Sequence, residues 1–199
     1  MTDDSDLIGA ALAGDRAAFE GLVHRYQDRL YAAMVQVVGS PEEAEDVVQD
    51  AFVRAFLKLN TFQNNSQFFT WLYRIAFNSA LSRIRRRKGT TSLDHVRDAA
   101  GEEPIDQFDG PDERMMRHER VTMVQLALQR LSEDHRAILV LREMEEHAYE
   151  DIAVILDISI GTVRSRLNRA RTQLKIVLEE MERADETPRH SQTPGSSGD

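Results

Sequence analysis

Side chains suited to reading a nucleic acid lie on one face of a short segment near the C-terminus. Arg164, Ser165, Asn168 and Arg169 fall there at helical spacing. Arginine can bond the edge of guanine with two hydrogen bonds, asparagine can do the same with adenine, and serine suits several groups. These residue types on one helix face indicate contacts with bases in the major groove of DNA. The same segment adds Ser159, Thr162, Arg166 and Arg171.

The elements that would position this face are two helices joined by a tight turn. The outer face of the second helix carries no acid, Ser159 suits its N-cap, and Asp157 tolerates the left-handed backbone that such turns need. This arrangement predicts a helix-turn-helix, and the alternative is a solvated basic helix in an ordinary bundle. The predicted buried positions are Tyr149, Ile152, Ala153 and Leu156 in the first helix, and Val163, Leu167, Ala170 and Leu174 in the second.

A second segment places aromatic residues directly before basic ones. Trp71 lies among several rings, and Arg74 and the run from Arg83 to Lys88 follow without any acid between Gln67 and Thr91. Bases of single-stranded DNA stack on rings while cations hold the phosphates, so this segment predicts a single-strand surface. Some of its apolar residues share helical spacing and are assigned to the core, namely Phe69, Leu72 and Ile75. The basic run is also compatible with a merely solvated helix end.

Between Ser40 and Leu59, a helix combines a buried face with an unusual outer face. Ser40-Pro41-Glu42-Glu43 predicts its start, with a serine N-cap, proline in the first turn and glutamate closing a capping box. Apolar residues beside acids on the outer face favour a protein-binding surface, unless a third helix covers Val53 and Leu57. The predicted outer face is Asp46, Gln49, Asp50, Val53 and Leu57, and the buried face is Ala44, Val48, Ala51, Ala55 and Leu59.

Helical periodicity dominates the chain of 199 residues, without convincing strand alternation. The predicted fold class is all-α: two small helical domains joined by a flexible acidic linker, the C-terminal one with the helix-turn-helix. The first helical block begins near Asp3, with breaks expected near Gly39 and from Asn60 to Ser66. Composition predicts a linker and a disordered tail. The domains are residues 1–88 and 112–183, the linker is 89–111 and the tail is 184–199.

The totals exclude several classes of protein. A chain without cysteine has no disulfide, thiolate nucleophile or cysteine-based zinc site. No signal peptide or membrane span is recognisable, so we expect a cytoplasmic protein with no membrane partner. A net charge of −9 argues against nucleic acid, but residues 67–91 and 158–178 contain cations and no acid. This distribution predicts two separate phosphate-binding surfaces.

Two other functions are possible from the residue types: a metal-dependent enzyme and a free-standing DNA-binding repressor. A metal-dependent enzyme would need ligands such as Glu143, Glu146 and His147, or Glu20 with His24, but neither set has HExxH spacing or an evident third ligand. We interpret these residues as solvated helix positions, and we expect no catalytic residue, metal, cofactor or small-molecule substrate. A free-standing helix-turn-helix repressor explains the C-terminal half only.

Together these motifs closely resemble those of the small sigma factors of bacterial RNA polymerase, the extracytoplasmic-function (ECF) group. The resemblance covers roughly residues 6–181, with the motifs in the family's order. They are Gly14-Asp15 with Ala18-Phe19, the segment AEDVVQDAF from Ala44, FTWLYRIA from Phe69 with the arginine-rich run, and Tyr149, Ile152-Ala153, GTVRSRL from Gly161 and Arg169-Ala-Arg171.

The resemblance implies a dissociable initiation factor that binds the β′ and β subunits of core RNA polymerase and brings them to promoter DNA. The helix with Asp46, Gln49, Asp50, Val53 and Leu57 would dock on the β′ coiled coil, and the linker would thread towards the active-site cleft. Residues 60–71 would capture a flipped base of the −10 element. The implied −10 contacts are Asn64, Trp71, Arg74, Asn78, Arg83, Arg85, Arg86, Arg87 and Lys88, and the −35 contacts are Ser159, Thr162, Arg164, Ser165, Arg166, Asn168, Arg169 and Arg171.

Three positions depart from the family's pattern. Members often have aspartate where Ser82 stands and glycine where Asp157 stands, and the loop Gln63-Asn-Asn-Ser lacks a frequent glycine. We expect these changes to alter the promoter sequence and not the role. The sequence leaves open whether an anti-sigma factor is a further partner. It also leaves open the arrangement of the two domains, including a closed one that masks Val53 or the recognition helix.

Overall fold

The computed structural model describes residues 3–63, 67–90 and 111–186, and every regular element in these ranges is helical. The predicted all-α class is confirmed. None of the helices in the described ranges is long and apolar enough to cross a membrane. The first domain contains α1 (Asp4–Leu12), α2 (Arg16–Val38), α3 (Pro41–Leu57), a short 3-10 turn (Leu59–Thr61) and α4 (Phe68–Thr90). The second contains α5 (Pro111–Gln129), α6 (Glu133–Leu139), a π-helical turn (Val140–Met144), α7 (Tyr149–Leu156) and α8 (Ile160–Glu186).

Local sequence signals set the boundary between α2 and α3. Gly39 ends α2 in left-handed backbone with φ of 79°. The Ser40 hydroxyl then accepts a hydrogen bond from the Glu43 amide at 3.3 Å, and Pro41 occupies the first turn of α3. The second half of the predicted capping box is wrong, because the Glu43 carboxylate accepts hydrogen bonds from Arg87 of α4 instead. The start of α3 is therefore tied to α4.

A break between α1 and α2 was not predicted by the periodicity. Gly14 has φ of 101°, and the Asp15 carboxylate caps α2 by accepting hydrogen bonds from the amides of Ala17 and Ala18. This sharp turn lets α1 fold back along α2, where Ile8 is buried. The helices at the domain limits are slightly longer than predicted. α4 ends two residues after the predicted end of the first domain, α5 begins one residue before the predicted start of the second, and α8 ends three residues after its predicted end.

Each domain has an apolar core formed by the helix faces that the spacing predicts. On α4, Phe69 and Leu72 are buried and Ile75 is half-buried, while on α3 Val47 is buried more fully than Val48. Burying one large apolar side chain contributes about 1.5–3 kcal/mol to folding. Fully buried residues of the first core include Leu22, Leu30, Met34, Ala44, Ala51, Ala55 and Ala76, and those of the second include Ile138, Leu141, Ile152, Ile155, Val163 and Ala170.

The two domains pack directly against each other in a closed arrangement, with α4 along α7 and the end of α2 against α5 and α6. Arg136 of α6 is buried in this contact. Its guanidinium donates hydrogen bonds to the carbonyls of Leu128 and Gln129 at the end of α5 and of Leu131 just after it, and at 2.8 Å to the carbonyl of Val37 in α2. Burial lowers the pKa of Arg136 to about 10, so the side chain remains charged at neutral pH.

Candidate nucleic-acid and polymerase interfaces

The polar face of α8 is exposed over the length that the sequence predicts. Arg164, Ser165, Asn168 and Arg169 are all exposed. Beneath them, Val163, Leu167 and Ala170 are buried and Leu174 is half-buried, so packing fixes the direction of the outer face. A face of guanidinium, amide and hydroxyl groups held in this way has the chemistry to bond base edges in a major groove.

The turn before α8 has the geometry of a helix-turn-helix. Asp157 ends α7 in left-handed backbone, with φ of 57° and ψ of 48°, as its tolerance of that region predicts. Ser159 caps α8 as predicted, since its hydroxyl accepts a hydrogen bond from the Thr162 amide at 3.1 Å. The Ser159 and Thr162 hydroxyls also lie 2.8 Å apart, so both are held at the exposed N-terminus of the helix.

The two arginines on the flanks of α8 differ from those on its outer face. The Arg166 guanidinium lies 3.3 Å from the carboxylate of Asp134 in α6. Arg171 donates two hydrogen bonds to Glu143 of the π-helical turn, at 2.6 and 2.9 Å. Each flanking cation thus forms an ion pair within its own domain.

The outer face of α3 exposes apolar side chains. Val53 is 55% exposed and Leu57 is 71% exposed, and Gln49 beside them is also exposed. No helix in the described ranges covers these residues, so the alternative of a third helix above them is wrong. Phe56 on the same face is 47% exposed, although its ring also contacts Phe19. The α3 face, defined as Asp46, Gln49, Asp50, Val53, Phe56 and Leu57, is an open apolar surface with acidic neighbours.

Cations of the basic run join α4 to the acids of α3. Arg83 lies 3.0 Å from the Asp46 carboxylate and 3.4 Å from that of Asp50, and the hydrogen bond to Asp46 raises the pKa of Arg83. Arg87 donates two hydrogen bonds to Glu43, at 3.0 and 3.1 Å. Residues assigned from the sequence to two different surfaces therefore pair with each other across the α3–α4 contact.

The remaining members of the run point elsewhere. Arg85 lies 3.6 Å from Asp134 of the second domain. The Arg86 guanidinium donates hydrogen bonds to the backbone carbonyl and the hydroxyl of Ser82, one turn earlier. Lys88 belongs to α4, but its side chain lies outside the described residues. The basic run thus divides into cations that join helices and cations that face the second domain or solvent.

Most of the aromatic rings of this segment are committed to packing. Phe68 and Tyr73 are buried. Trp71 is half-buried, and its ring centroid lies 5.3 Å from that of Phe62 and 5.8 Å from that of Phe68. The part of the indole that remains exposed is an aromatic surface of the kind on which bases stack. Asn64, which precedes α4 in the chain, lies outside the described residues.

One stripe of α4 faces the second domain. We define the α4 stripe as Thr70, Arg74, Asn78 and Arg85, which lie on one side of the helix. The Thr70 hydroxyl donates a hydrogen bond to the Asp151 carboxylate at 3.2 Å, and Arg74 lies 3.4 Å from the Asp157 carboxylate. An open cleft of about 570 Å³ lies between the domains beyond these contacts, lined in part by Asn78, Arg85, Arg86, Asp134, Asp157 and Arg166.

A buried carboxylate holds the two domains together. Glu145, directly after the π-helical turn, accepts a hydrogen bond from Arg29 of α2 at 2.8 Å and one from the Tyr73 hydroxyl at 2.9 Å. Arg29 also donates to the Glu145 carbonyl at 3.0 Å, and its guanidinium lies over the Phe69 ring. Burial, reinforced by the negative charge of Glu145, raises the pKa of Tyr73, which therefore remains a donor at all physiological pH.

His147 is a core residue of this interdomain contact, and its assignment as a solvated helix position is wrong. Its ring stacks on Phe69 and contacts the edge of Tyr73, with centroids 5.3 Å apart in both cases. Its Nε2 is buried without a hydrogen-bond partner among the described residues, and burial lowers the pKa of His147. Glu146 beside it is exposed, and the described residues contain no group of three or more side chains able to hold a metal.

Comparison with known proteins accounts for this combination of surfaces. The family model described as Sigma-70 region 2 matches residues 22–90, and Sigma-70 region 4 matches residues 122–174. The chain is 38% identical over 181 residues to the RNA polymerase sigma-H factor of Pseudomonas aeruginosa, covering 88% of this chain and 94% of that one. It is 34% identical over 175 residues to the ECF RNA polymerase sigma factor SigW of Bacillus subtilis, covering 84% and 92%. The chain belongs to the ECF sigma factors.

This sigma factor shares its fold with a relative of known structure. The sigma factor RpoE of Bartonella quintana, solved with the anti-sigma factor NepR, matches with a TM-score of 0.64 and 27% identity, covering 81% of this chain and 96% of that one. As a member of the family, the protein is an initiation factor that directs RNA polymerase to promoters, and it is not an enzyme. The first domain corresponds to region 2 and the second to region 4.

Some residues of the sigma factor that shape these surfaces escaped sequence analysis. Phe56 could have been found, because it lies three residues after Val53 on the same helical face. Arg29, Asp134 and Glu145 carry no comparable signal, since their partners are far along the chain. Charge and spacing alone do not reveal such contacts before the domains are placed together.

Proposed function

We propose that the α3 face is the surface through which this sigma factor docks on core RNA polymerase. The observation that carries the proposal is the exposure of Val53 and Leu57 beside the acids of α3. Exposed apolar side chains at the centre of a polar surface are typical of protein interfaces, where a few of them supply most of the affinity. By resemblance, the polymerase element that fits this surface is the β′ coiled coil, and contacts with β complete the complex.

We further propose that α4 and α8 supply the two promoter contacts. Region 2, taken as residues 1–88, would hold the −10 element, and region 4, taken as residues 112–183, would read the −35 element, with residues 89–111 as linker. The proposed −10 residues are Asn64, Trp71, Arg74, Asn78, Arg83, Arg85, Arg86, Arg87 and Lys88. The proposed −35 residues are Ser159, Thr162, Arg164, Ser165, Arg166, Asn168, Arg169 and Arg171. The exposed outer face of α8 and the partial exposure of Trp71 support this division.

We also propose a cytoplasmic location and regulation by an anti-sigma factor. The location follows from the partner, because RNA polymerase and promoter DNA are cytoplasmic in bacteria. An anti-sigma partner is supported by the shared fold with the Bartonella sigma factor, whose structure contains one.

Binding to core enzyme tests the polymerase surface. Val53→Asp and Leu57→Asp each place a charge where an apolar contact is proposed, and each should weaken binding to core roughly tenfold to a hundredfold, the cost of a hot-spot residue. Ile176→Asp is the matched control, since Ile176 is an apolar residue 48% exposed on α8, in the second domain. Equal affinity of all three variants and the wild type for core would refute the proposed surface.

Run-off transcription from a promoter that this factor recognises tests the DNA contacts. Arg164→Ala and Asn168→Ala should each cost about 1–3 kcal/mol in promoter affinity and relax preference in the −35 element, as the loss of a base contact does. Lys175→Ala removes a cation further along α8, where its partner is Glu179, and should leave that preference unchanged. Retention of full −35 preference in both the Arg164 and Asn168 variants would overturn the assignment.

A further inference from the structure

We propose that region 4 occupies the DNA-binding side of α4 in the free factor, so that region 4 and the −10 DNA strand compete for the same residues. The inference rests on the proposed −10 role of α4. Arg74, Asn78 and Arg85 belong both to the proposed −10 residues and to the α4 stripe that faces region 4. A helix rises 1.5 Å per residue, so the span from Thr70 to Arg85 follows region 4 for about 22 Å.

Carboxylates of region 4 stand along α4 where phosphates of a DNA strand would bind. Asp151 accepts a hydrogen bond from Thr70, Asp157 pairs with Arg74, and Asp134 pairs with Arg85. A guanidinium bonds a carboxylate and a phosphate with the same donor geometry. Region 4 therefore offers α4 the same type of negatively charged acceptor that the DNA backbone would offer.

These acids mask α4 but do not by themselves hold the closed arrangement. Arg85 is largely exposed, as is the Asp157 carboxylate, and exposed ion pairs contribute little to stability. The anchor is the Glu145 carboxylate, which is buried and receives a buried hydrogen bond from Tyr73 and a second one from Arg29, whose side chain is half exposed. Because neither Glu145 nor Arg29 belongs to the proposed DNA surface, the anchor can be weakened without removing a DNA contact.

The closed arrangement leaves the polymerase surface free. Val53 and Leu57 remain exposed on α3 while α4 faces region 4. Region 2 can thus meet core enzyme before the domains separate, whereas the DNA strand can reach the α4 stripe only after separation. The expected order is polymerase docking, opening and then capture of the strand.

Interdomain distance and strand affinity together test this competition. The chain lacks cysteine, so Glu20→Cys on α2 and Glu180→Cys on α8, both exposed, allow a donor and acceptor dye to report opening without background labelling. Glu145→Gln removes the buried charge at constant size. Glu146→Gln is its matched control, because Glu146 is exposed and follows directly in the chain. The probe for binding is a fluorescein-labelled oligodeoxythymidylate, which offers phosphates and stacking bases without a promoter sequence.

Glu145→Gln should raise the ratio of open to closed protein about tenfold, as expected for loss of charge-assisted hydrogen bonds. Apparent affinity is proportional to the fraction of protein in the competent state, so the gain in oligonucleotide affinity should equal the measured gain in the open fraction. Saturating oligonucleotide should also open the wild-type protein, and Glu146→Gln should behave as wild type. The proposal is overturned if Glu145→Gln does not open the protein, or if it opens without a gain in affinity.

Failure of the competition is distinguishable from failure of the −10 assignment. Arg74→Gln within holoenzyme, where the proposal requires the domains to have separated, should reduce run-off transcription if α4 holds the −10 strand. If Arg74→Gln reduces transcription but Glu145→Gln opens without a gain in oligonucleotide affinity, the competition is refuted and the −10 role of α4 stands. An unchanged yield would remove the −10 role of Arg74 on which the competition rests.

Discussion

Replacement of His147 by phenylalanine should favour the closed arrangement and remove most of its dependence on pH. The imidazole stacks on Phe69 and contacts Tyr73, both from α4, so a phenyl ring can keep the aromatic packing between the domains. The replacement also removes the buried Nε2, which has no hydrogen-bond partner among the described residues. A buried polar atom without a partner destabilises the closed state by about 1–3 kcal/mol. His147→Phe should remove this destabilisation, less any cost of fitting the larger phenyl ring into the same space.

The sign of the pH dependence follows from the cause of the shift. Burial lowers the pKa of His147 in the closed state, with Arg29 acting in the same direction and Asp151 and Glu145 opposing it. The open state binds the proton more readily. The neutral His147 ring therefore stabilises the closed state fully at pH values above the ordinary imidazole pKa, about 6.5. This stabilisation is lost as the pH falls from there towards the lowered pKa that His147 has in the closed state. At pH 5.5 the loss reaches at most about 1.4 kcal/mol.

The assay is a pH titration of the interdomain energy transfer between dyes at positions 20 and 180, with urea unfolding as a second readout. Wild type should open progressively between pH 7 and 5.5, whereas His147→Phe should remain closed over this range. His24→Asn is the control, because His24 is exposed on α2 and should leave the wild-type titration unchanged. Superimposable titrations of wild type and His147→Phe would refute the reasoning, since the buried imidazole would then not be the titrating group.

Replacements at three further positions test how individual residues hold the fold, each measured by the free energy of urea unfolding. Gly39→Ala should cost about 1–2 kcal/mol, because Gly39 has positive φ and an added Cβ would collide with the Gln129 side chain. Asp157→Ala should cost about 1 kcal/mol at φ of 57°, whereas Asp157→Asn should cost little because asparagine tolerates that backbone; equal costs would refute this. Arg136→Met should cost about 3 kcal/mol or more, since four backbone carbonyls, including that of Val37, lose their buried donor; a neutral result would show that water replaces the guanidinium.

Sequence alone predicted those features that depend on neighbours within about one helical turn. The cap at Ser40, the left-handed turn at Asp157 and the cap at Ser159 are determined by side chains two or three residues apart. The buried face under Val163 follows from helical spacing in the same way. These local signals were sufficient for the fold class and for the helix-turn-helix.

What the sequence could not provide are contacts between residues distant in the chain. Glu43 was expected to complete a capping box, but the guanidinium of Arg87 competes for its carboxylate from the adjacent helix. His147 has polar neighbours in sequence and aromatic ones in space, so its local pattern resembles that of a solvated residue. Arg83 shows the same limitation, because only the packing of α4 on α3 brings it to Asp46.

The pairing of arginines on α4 has a consequence for how the free factor is distributed in the cell. Arg74, Arg83, Arg85 and Arg87 each lie against a carboxylate of the same chain, and the chain carries a net charge of −9. Non-specific affinity for DNA depends on how many phosphates a protein neutralises, and a genome offers about 10⁶–10⁹ competing sites. With these α4 cations neutralised, the free factor would bind fewer phosphates and would be held less tightly by chromosomal DNA. More of it would then be available to RNA polymerase, and the search along DNA would be carried out by the holoenzyme.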